Sequence, residues 1–165
     1  MVAVWRVSQV VYITINKKDI AKIINHPKVW NMVSDDLSQK PYVPIIDDSI
    51  IYLINKHKTG LMRTEPVNGI TYQIHTTALP ELWGKAVGFA KESIEWLFKN
   101  TACMKIITFI PIYNKLAIKL AKKSGMEQEG CIKKSFLKGW KLHDQLIYGL
   151  TKEQFKEGLR CQQQQ

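Results

Sequence analysis

The stretch Leu79-Pro80-Glu81-Leu82-Trp83-Gly84-Lys85-Ala86-Val87-Gly88 decides the reading of this chain. It joins a β-branched segment, Ile70 to Ala78, to a long helical pattern, and it holds two glycines four residues apart. A glycine-bearing turn that opens a helix leaves backbone N–H groups without intrahelical partners. The helix dipole adds partial positive charge at the same point. Together these form a pocket for a pyrophosphate, because glycine lets a phosphate approach backbone that a Cβ would shield. Lys85 adds a full positive charge. Taken alone, the ten residues also fit a strand-to-helix turn with no phosphate role.

The segments on either side supply the context. Val2 to Ile15 reads as a strand, and Asn16 caps a short helix whose buried stripe is Ile20, Ile23 and Ile24. His26-Pro27 stops that helix, since proline disfavours the helical state in the residue before it. A second short helix covers Val29 to Val33, and a polar loop with two prolines runs from Leu37 to Pro44. Ile50–Ile54, Leu61–Glu65 and Ile70–Ala78 read as an antiparallel meander, turned at Lys58-Thr59-Gly60 and at Pro66-Val67-Asn68-Gly69. In its third strand Ile70, Tyr72, Ile74 and Thr76 face one way, and Thr71, Gln73, His75 and Thr77 the other. A helix is expected over Trp83 to Lys99, with Val87, Ala90, Ile94, Leu97 and Phe98 on its apolar face.

Lys105 to Ile110 is a nearly all-apolar strand, the signature of burial on both faces. Asn114 caps a helix over Lys115 to Lys123, closed by Gly125. Its inner face is read as Leu116, Ala117, Leu120 and Ala121, with Lys115, Lys119, Lys122 and Lys123 outside. Strands at Gln128–Leu137 and Lys141–Leu150 and a polar helical end at Thr151–Arg160 complete the order. The expectation is an α+β fold, a mixed and mostly antiparallel sheet flanked by helices, in a single domain over residues 1–160 with a tail at 161–165.

Composition sets the outer bounds. The 165 residues are 45% hydrophobic and 23% charged, an ordinary globular balance that permits a buried core. No apolar run is long enough to span a membrane, and the start lacks the pattern of a signal peptide, so a cytoplasmic protein is expected. Cys103, Cys131 and Cys161 are too widely spaced for a metal-ligand cluster. The net charge of +10 is uneven: residues 1–82 hold 9 Lys/Arg against 7 Asp/Glu, and residues 83–165 hold 15 against 7. A basic half invites an anionic partner, whether nucleic acid, a phosphorylated cofactor or an acidic protein face, and also fits a solvated lysine surface.

Three pieces in order resemble the GCN5-related N-acetyltransferase (GNAT) superfamily, the acyl-CoA N-acyltransferase fold. Trp83 to Gly88 is similar to the superfamily's pyrophosphate loop, [Gln/Arg]-x-x-Gly-x-[Gly/Ala]. Pro111 to Leu120 is similar to the stretch in which an asparagine, here Asn114, starts the next helix beside the cofactor. Ser124-Gly125-Met126-Glu127-Gln128-Glu129-Gly130 resembles the Leu-Gly-Phe-x-x-Glu-Gly run that follows. The resemblance implies acetyl-CoA as cofactor, bound through Leu79, Trp83, Gly84, Lys85, Ala86, Val87, Gly88 and Asn114. Departures are Trp83 for the usual Gln or Arg, Ala86 for the first glycine, Met126 for phenylalanine, and Ala117 where one branch of the family has a serine. The alanine at 86 adds a methyl where a phosphate would approach, worth about 1–3 kcal/mol if the fit is tight.

Amide formation needs a neutral amine, so a base is useful, and the departing thiolate benefits from an acid. Candidate bases are His75 and Glu81; the candidate acid is Tyr113, with Tyr148 further away. Packing or surface roles are open to each. A narrower resemblance joins His26-Pro27-Lys28-Val29-Trp30, Asp35-Asp36, Ile74-His75 and Trp83 to Ala86 to GNAT-fold proteins of tailed bacteriophages linked to head assembly or to proteins ejected with the DNA. It implies a virion-assembly factor with a degenerate acetyl-CoA site. Its partners would be phage structural or ejected proteins, or a second copy of the chain, in the host cytoplasm or on the virion. Trp83, Ala86 and Ala117 favour that expectation; Gly84, Gly88 and Asn114 favour the alternative, an active N-acetyltransferase acting on an amine of a protein or small molecule. A third reading places nucleic acid on the basic C-terminal half, whose eight lysines between Lys115 and Lys141 would neutralise phosphates. The exposed-turn candidates Trp83 and Trp140 suit an interface anchor.

Overall fold

The computed structural model describes residues 11–163. Among them, strands β1 (Val11–Ile13), β2 (Ile51–Asn55), β3 (Gly60–Pro66), β4 (Thr71–Ala78), β5 (Lys105–Pro111), β6 (Glu127–Lys138) and β7 (Lys141–Thr151) form one sheet. Its order is β1-β2-β3-β4-β5-β7-β6. Helices α1 (Lys17–Ile24), α2 (Pro27–Val33), α3 (Ala86–Asn100), α4 (Lys115–Lys123) and α5 (Lys152–Gln163) cover it. Only β4 and β5 pair in parallel; the other neighbours are antiparallel. This is the expected α+β architecture.

Local chemistry explains the element boundaries. The Asn16 side chain accepts hydrogen bonds from the N–H groups of Lys18 (3.0 Å) and Asp19 (3.3 Å), which caps α1. Pro27 does more than stop α1: it is the first residue of α2, where its missing N–H costs nothing. The β6–β7 hairpin turns on Gly139 (φ 60°) and Trp140 (φ 56°), both left-handed, the geometry whose twist matches paired strands. Gly125, at φ 92°, ends α4.

Three sequence expectations move. Of the strand read over Val2–Ile15, Val11–Ile13 is observed, and residues 2–10 lie outside the described residues. The helix expected from Trp83 begins at Ala86, because Pro80–Lys85 forms a 3-10 turn started by proline and weakened as α-helix by Gly84. The tail expected from 161 is helical as far as Gln163.

The sheet separates two cores. On one face Ile74, Phe89, Ile94, Leu97, Phe98 and Ile106 pack around α3. On the other, Ile20, Ile23 and Val29 of α1 and α2 cover Tyr52, Ile54 and Leu61. The β4 alternation read from sequence holds, with Ile74 3% exposed on the α3 side. Leu116 corrects the α4 reading: it is 61% exposed, because that flank of α4 borders open space instead of core.

An irregular segment follows α2 and is pinned at both ends. Asp36 accepts hydrogen bonds from the N–H groups of Gly139 (3.1 Å) and Trp140 (2.6 Å), and Lys138 Nζ donates to Ser34 O (2.8 Å). Further along, Asn25 accepts from Tyr42 N (2.7 Å) and donates to Tyr42 O (3.0 Å), while the Tyr52 hydroxyl donates to Ile45 O (3.1 Å).

Gly60 shows what packing demands of a glycine: a Cβ there would lie 2.6 Å from Leu82 Cδ2 and 2.9 Å from Phe89 Cδ1. Gly60→Ala is expected to lower unfolding free energy by about 1–3 kcal/mol, measured by urea denaturation.

Candidate active site

The site begins where two strands part. β4 and β5 pair at Thr71–Lys105, Tyr72–Ile106 and Gln73–Ile107, and the ladder ends there. β4 continues to Ala78 against β3, and β5 continues to Pro111 against β7. Each strand is held by its outer neighbour, so the divergence opens a cleft through the sheet. A cavity of about 820 Å³ occupies it, walled by His75, Thr77, Thr108, Pro111, Ala117 and Gln145 among others. A second cavity of about 350 Å³ lies between the 80–88 bend and α4.

That bend fits an anion. No side chain caps α3 at Lys85, so the first-turn N–H groups gain no side-chain partner there. A Cβ added at Gly84 or Gly88 meets nothing within 4 Å, in contrast to Gly60. The protein's own packing therefore does not require these two glycines; Gly84 walls the smaller cavity, whereas Gly88, expected to hold the cofactor, is exposed and lines neither cavity. Trp83 does not plug the smaller cavity. Its indole N–H donates to Ala78 O at 3.0 Å, which holds the ring at the exit of β4, 44% exposed, with Lys28 Nζ 5.8 Å from the ring centre.

The other motif residues divide by role. Trp83, Gly84, Ala86, Val87 and Asn114 wall the smaller cavity, together with Leu116, Lys119 and Lys123 of α4. Leu79 is buried in the α1–α2 core, and Lys85 is exposed. Asn114 Oδ1 accepts from Ala117 N (3.1 Å), which fixes the N-terminus of α4 at the mouth of the cleft. Two of the sequence's stripe of lysines, Lys119 and Lys123, thus border the cavity.

Of the candidate acid–base groups, His75 lines the larger cavity. Burial, and then the nearby Arg63 guanidinium, hold its pKa below the usual 6.5, so the ring is neutral at pH 7. Its Nε2 lies 2.8 Å from Gln73 Nε2, and the amide donates when the ring proton sits on Nδ1. Arg63, the cross-strand partner of His75, is locked by Glu65 through two bonds of 2.9 and 2.8 Å. Tyr42 also faces this cavity, and burial with the Tyr52 hydroxyl (3.1 Å) pushes its pKa well above the phenol range. His75 is therefore the neutral imidazole on the lining among the described residues, a base once the Gln73 amide yields its Nε2 lone pair.

Glu81 and Tyr113 lie elsewhere. Glu81 is exposed on the 3-10 turn. Tyr113 lines neither cavity; it packs edge-on to His143 (4.7 Å between ring centres) and against Phe136 (6.3 Å). Its buried hydroxyl has no hydrogen-bond partner in the protein, and burial raises its pKa, aided by Asp36 and Asp35. Tyr148 is in the core, 1% exposed. Sequence reading missed Arg63 and Tyr42. Counting back through the Asn68-Gly69 turn pairs Arg63 with His75, so the first was recoverable; Tyr42, in an irregular loop, left no such signal.

No protein-family model matches the chain, and no curated protein matches it by sequence. Solved structures do. Spermidine N-acetyltransferase from Vibrio cholerae, in complex with CoA and spermine, aligns over 91% of this chain and 99% of its own at 17% identity and a TM-score of 0.75. A GNAT-family acetyltransferase from Bacillus anthracis aligns over 64% and 67% at 23% identity and a TM-score of 0.55. The chain has the GNAT fold. At these identities the likeness concerns backbone architecture, and the splayed strands β4 and β5 lie in the middle of the sheet.

His75 gives stability a pH dependence of known sign. Its folded pKa lies below the unfolded value of 6.5, so its contribution is complete above pH 6.5 and is lost as pH falls below it. Chemical denaturation at pH 7.5 and 5.5 is expected to show a smaller stability difference in His75→Gln than in the parent protein.

Proposed function

We propose that the protein is an acetyl-CoA-dependent N-acetyltransferase acting on a primary amine. The observation that carries this reading is the cleft between β4 and β5, with an uncapped, glycine-bearing helix start at its mouth where added Cβ atoms meet only open space. Bound acetyl-CoA would supply the activated thioester. Backbone N–H groups of Gly84 to Gly88 suit the pyrophosphate, and Lys119 and Lys123 suit a further phosphate. The edge of β4 beyond Gln73, without a β5 partner, suits the amides of an extended arm. His75 is placed to take the proton of the attacking amine.

The virion-assembly expectation drew on Trp83, Ala86 and Ala117 as lost features. The Trp83 indole is tied to Ala78 O and Ala86 is buried, and with both in its wall the smaller cavity keeps about 350 Å³. Solved neighbours described as acetyltransferases support the enzyme reading over the assembly one.

The acceptor side argues for a simple amine. The larger cavity is lined by Arg63 and His75 and by no carboxylate among the described residues, and residues 1–10 and 164–165 contain no Asp or Glu. The Vibrio enzyme binds spermine, a polycation; its extra ammonium groups would lack counter-charges here. Trp30, Tyr42, Ile45 and Phe136 offer instead an apolar wall for a monoamine.

Calorimetric titration with acetyl-CoA tests the reading directly. Binding is expected, weakened about tenfold or more by Gly84→Trp, which puts bulk into the wall of the smaller cavity, and weakened in a salt-dependent manner by Lys119→Ala with Lys123→Ala. Absence of binding by the parent protein removes the proposal. In a thiol-release assay, 2-phenylethylamine is expected to outperform spermidine by about tenfold in kcat/KM.

A further inference from the structure

We propose that the branch of the cleft between α3 and α4 is an acyl pocket for groups longer than acetyl, with the Ser124 hydroxyl as a hydrogen-bonding partner in its wall. The inference rests on the acyl-transfer reading and names its donor. Side-chain alternation splits the cleft in two. Gln73, His75 and Thr77 face the α1–α2 side, where the amine is placed, and Ile74, Thr76 and Ile110 face α3 and α4.

The α3–α4 branch is walled by Ala90 and Ile94 of α3, by Ala117 and Ala121 of α4, and by Ser124 and Met126 just beyond. Ala117 and Ala121 stand one turn apart on the face of α4 that meets the cleft. A helix packed only against a sheet fills such positions with bulk, since interiors are close-packed and voids destabilise. Here the small side chains leave room that is continuous with the larger cavity.

Ser124 is the independent observation. It is 3% exposed and caps α4, with its N–H bonded to Leu120 O (2.9 Å) and Ala121 O (3.1 Å). The residue stands in the cavity wall, and its buried Oγ has no hydrogen-bond partner within the protein. A buried hydroxyl without a partner is destabilising, and a ligand that supplies the partner explains its retention. The branch contains no charged side chain among the described residues, so the group it meets is neutral. The acyl class is a short aliphatic chain of about four carbons with a hydroxyl or carbonyl on it, and a chain ending in a carboxylate is excluded by the cost of burying an unpaired charge.

The reaction keeps its balance with any such donor. The amine nitrogen bonds the acyl carbon as the carbon–sulfur bond breaks. The proton of the nitrogen passes to His75, and the electron pair of the broken bond remains on sulfur.

Thiol-release rates with 2-phenylethylamine as acceptor compare acetyl-, butyryl-, 3-hydroxybutyryl- and succinyl-CoA. Butyryl-CoA is expected to exceed acetyl-CoA by about tenfold in kcat/KM, with 3-hydroxybutyryl-CoA higher still and succinyl-CoA lowest. Ser124→Ala is expected to erase the difference between the two four-carbon neutral donors while the melting temperature stays equal or rises. A purely structural serine would leave that ratio untouched. Ala117→Leu is expected to penalise butyryl-CoA more than acetyl-CoA. Preference for acetyl-CoA, or an unchanged donor ratio in Ser124→Ala, overturns the pocket and leaves the acetyl-transfer reading standing. If no donor turns over, calorimetry with the same thioesters decides: equal affinities overturn the pocket alone, and no binding of any CoA ester overturns both.

Discussion

The arrangement depends on a competition for hydrogen bonds within one sheet. β4 is satisfied along its length by β3, and β5 by β7, while their own parallel ladder stops at Gln73 and Ile107. Antiparallel ladders are slightly more stable per residue than parallel ones, so where the sheet must open, the parallel pair is the one to part. Opening leaves backbone edges that would be costly in a dry core. They are tolerable at a cavity, where solvent or a ligand reaches them. The two cores follow from strand alternation, since β2 and β3 send successive side chains to opposite faces: α1 and α2 cover one face, α3 and α5 the other.

The free space at the bend is the counterpart of that opening. Among the glycines, Gly60 is held by its neighbours' bulk, and Gly125 and Gly139 by backbone angles. Gly69, Gly84, Gly88 and Gly158 answer to neither demand, and of these four Gly84 is the one that walls a cavity. Trp83 is no plug there: its indole is committed to Ala78 O, and the cavity it walls stays open.

Much of the fold was legible because its signals are local. Asn16 and Asn114 cap the helices they were expected to cap, and the Asn68-Gly69 and Gly139-Trp140 turns set the hairpins. The alternation along β4 put His75 on the face opposite Ile74; the structure makes that the α1–α2 side, and the register with β5 opens it onto a cleft. What failed were inferences needing a third dimension. Leu116 reads as a core residue from helical spacing, yet its neighbour is the cleft. Tyr113 reads as a hydroxyl beside Asn114, yet its ring turns toward His143. Tyr42 and Ser124 take their places from contacts made far along the chain or from the lack of them, and periodicity carries neither.

The segment between α2 and β2 forms part of the larger cavity's wall through Ser38, Gln39, Tyr42 and Ile45, and it has no regular structure to preserve. Its ends are fastened by Asp36 to the hairpin and by Asn25 and Tyr52 to the body. Lengthening a tethered loop adds only a slowly growing closure entropy. Evolution can therefore reshape the cavity's entrance by editing a few codons here, leaving the sheet and the 80–88 bend untouched.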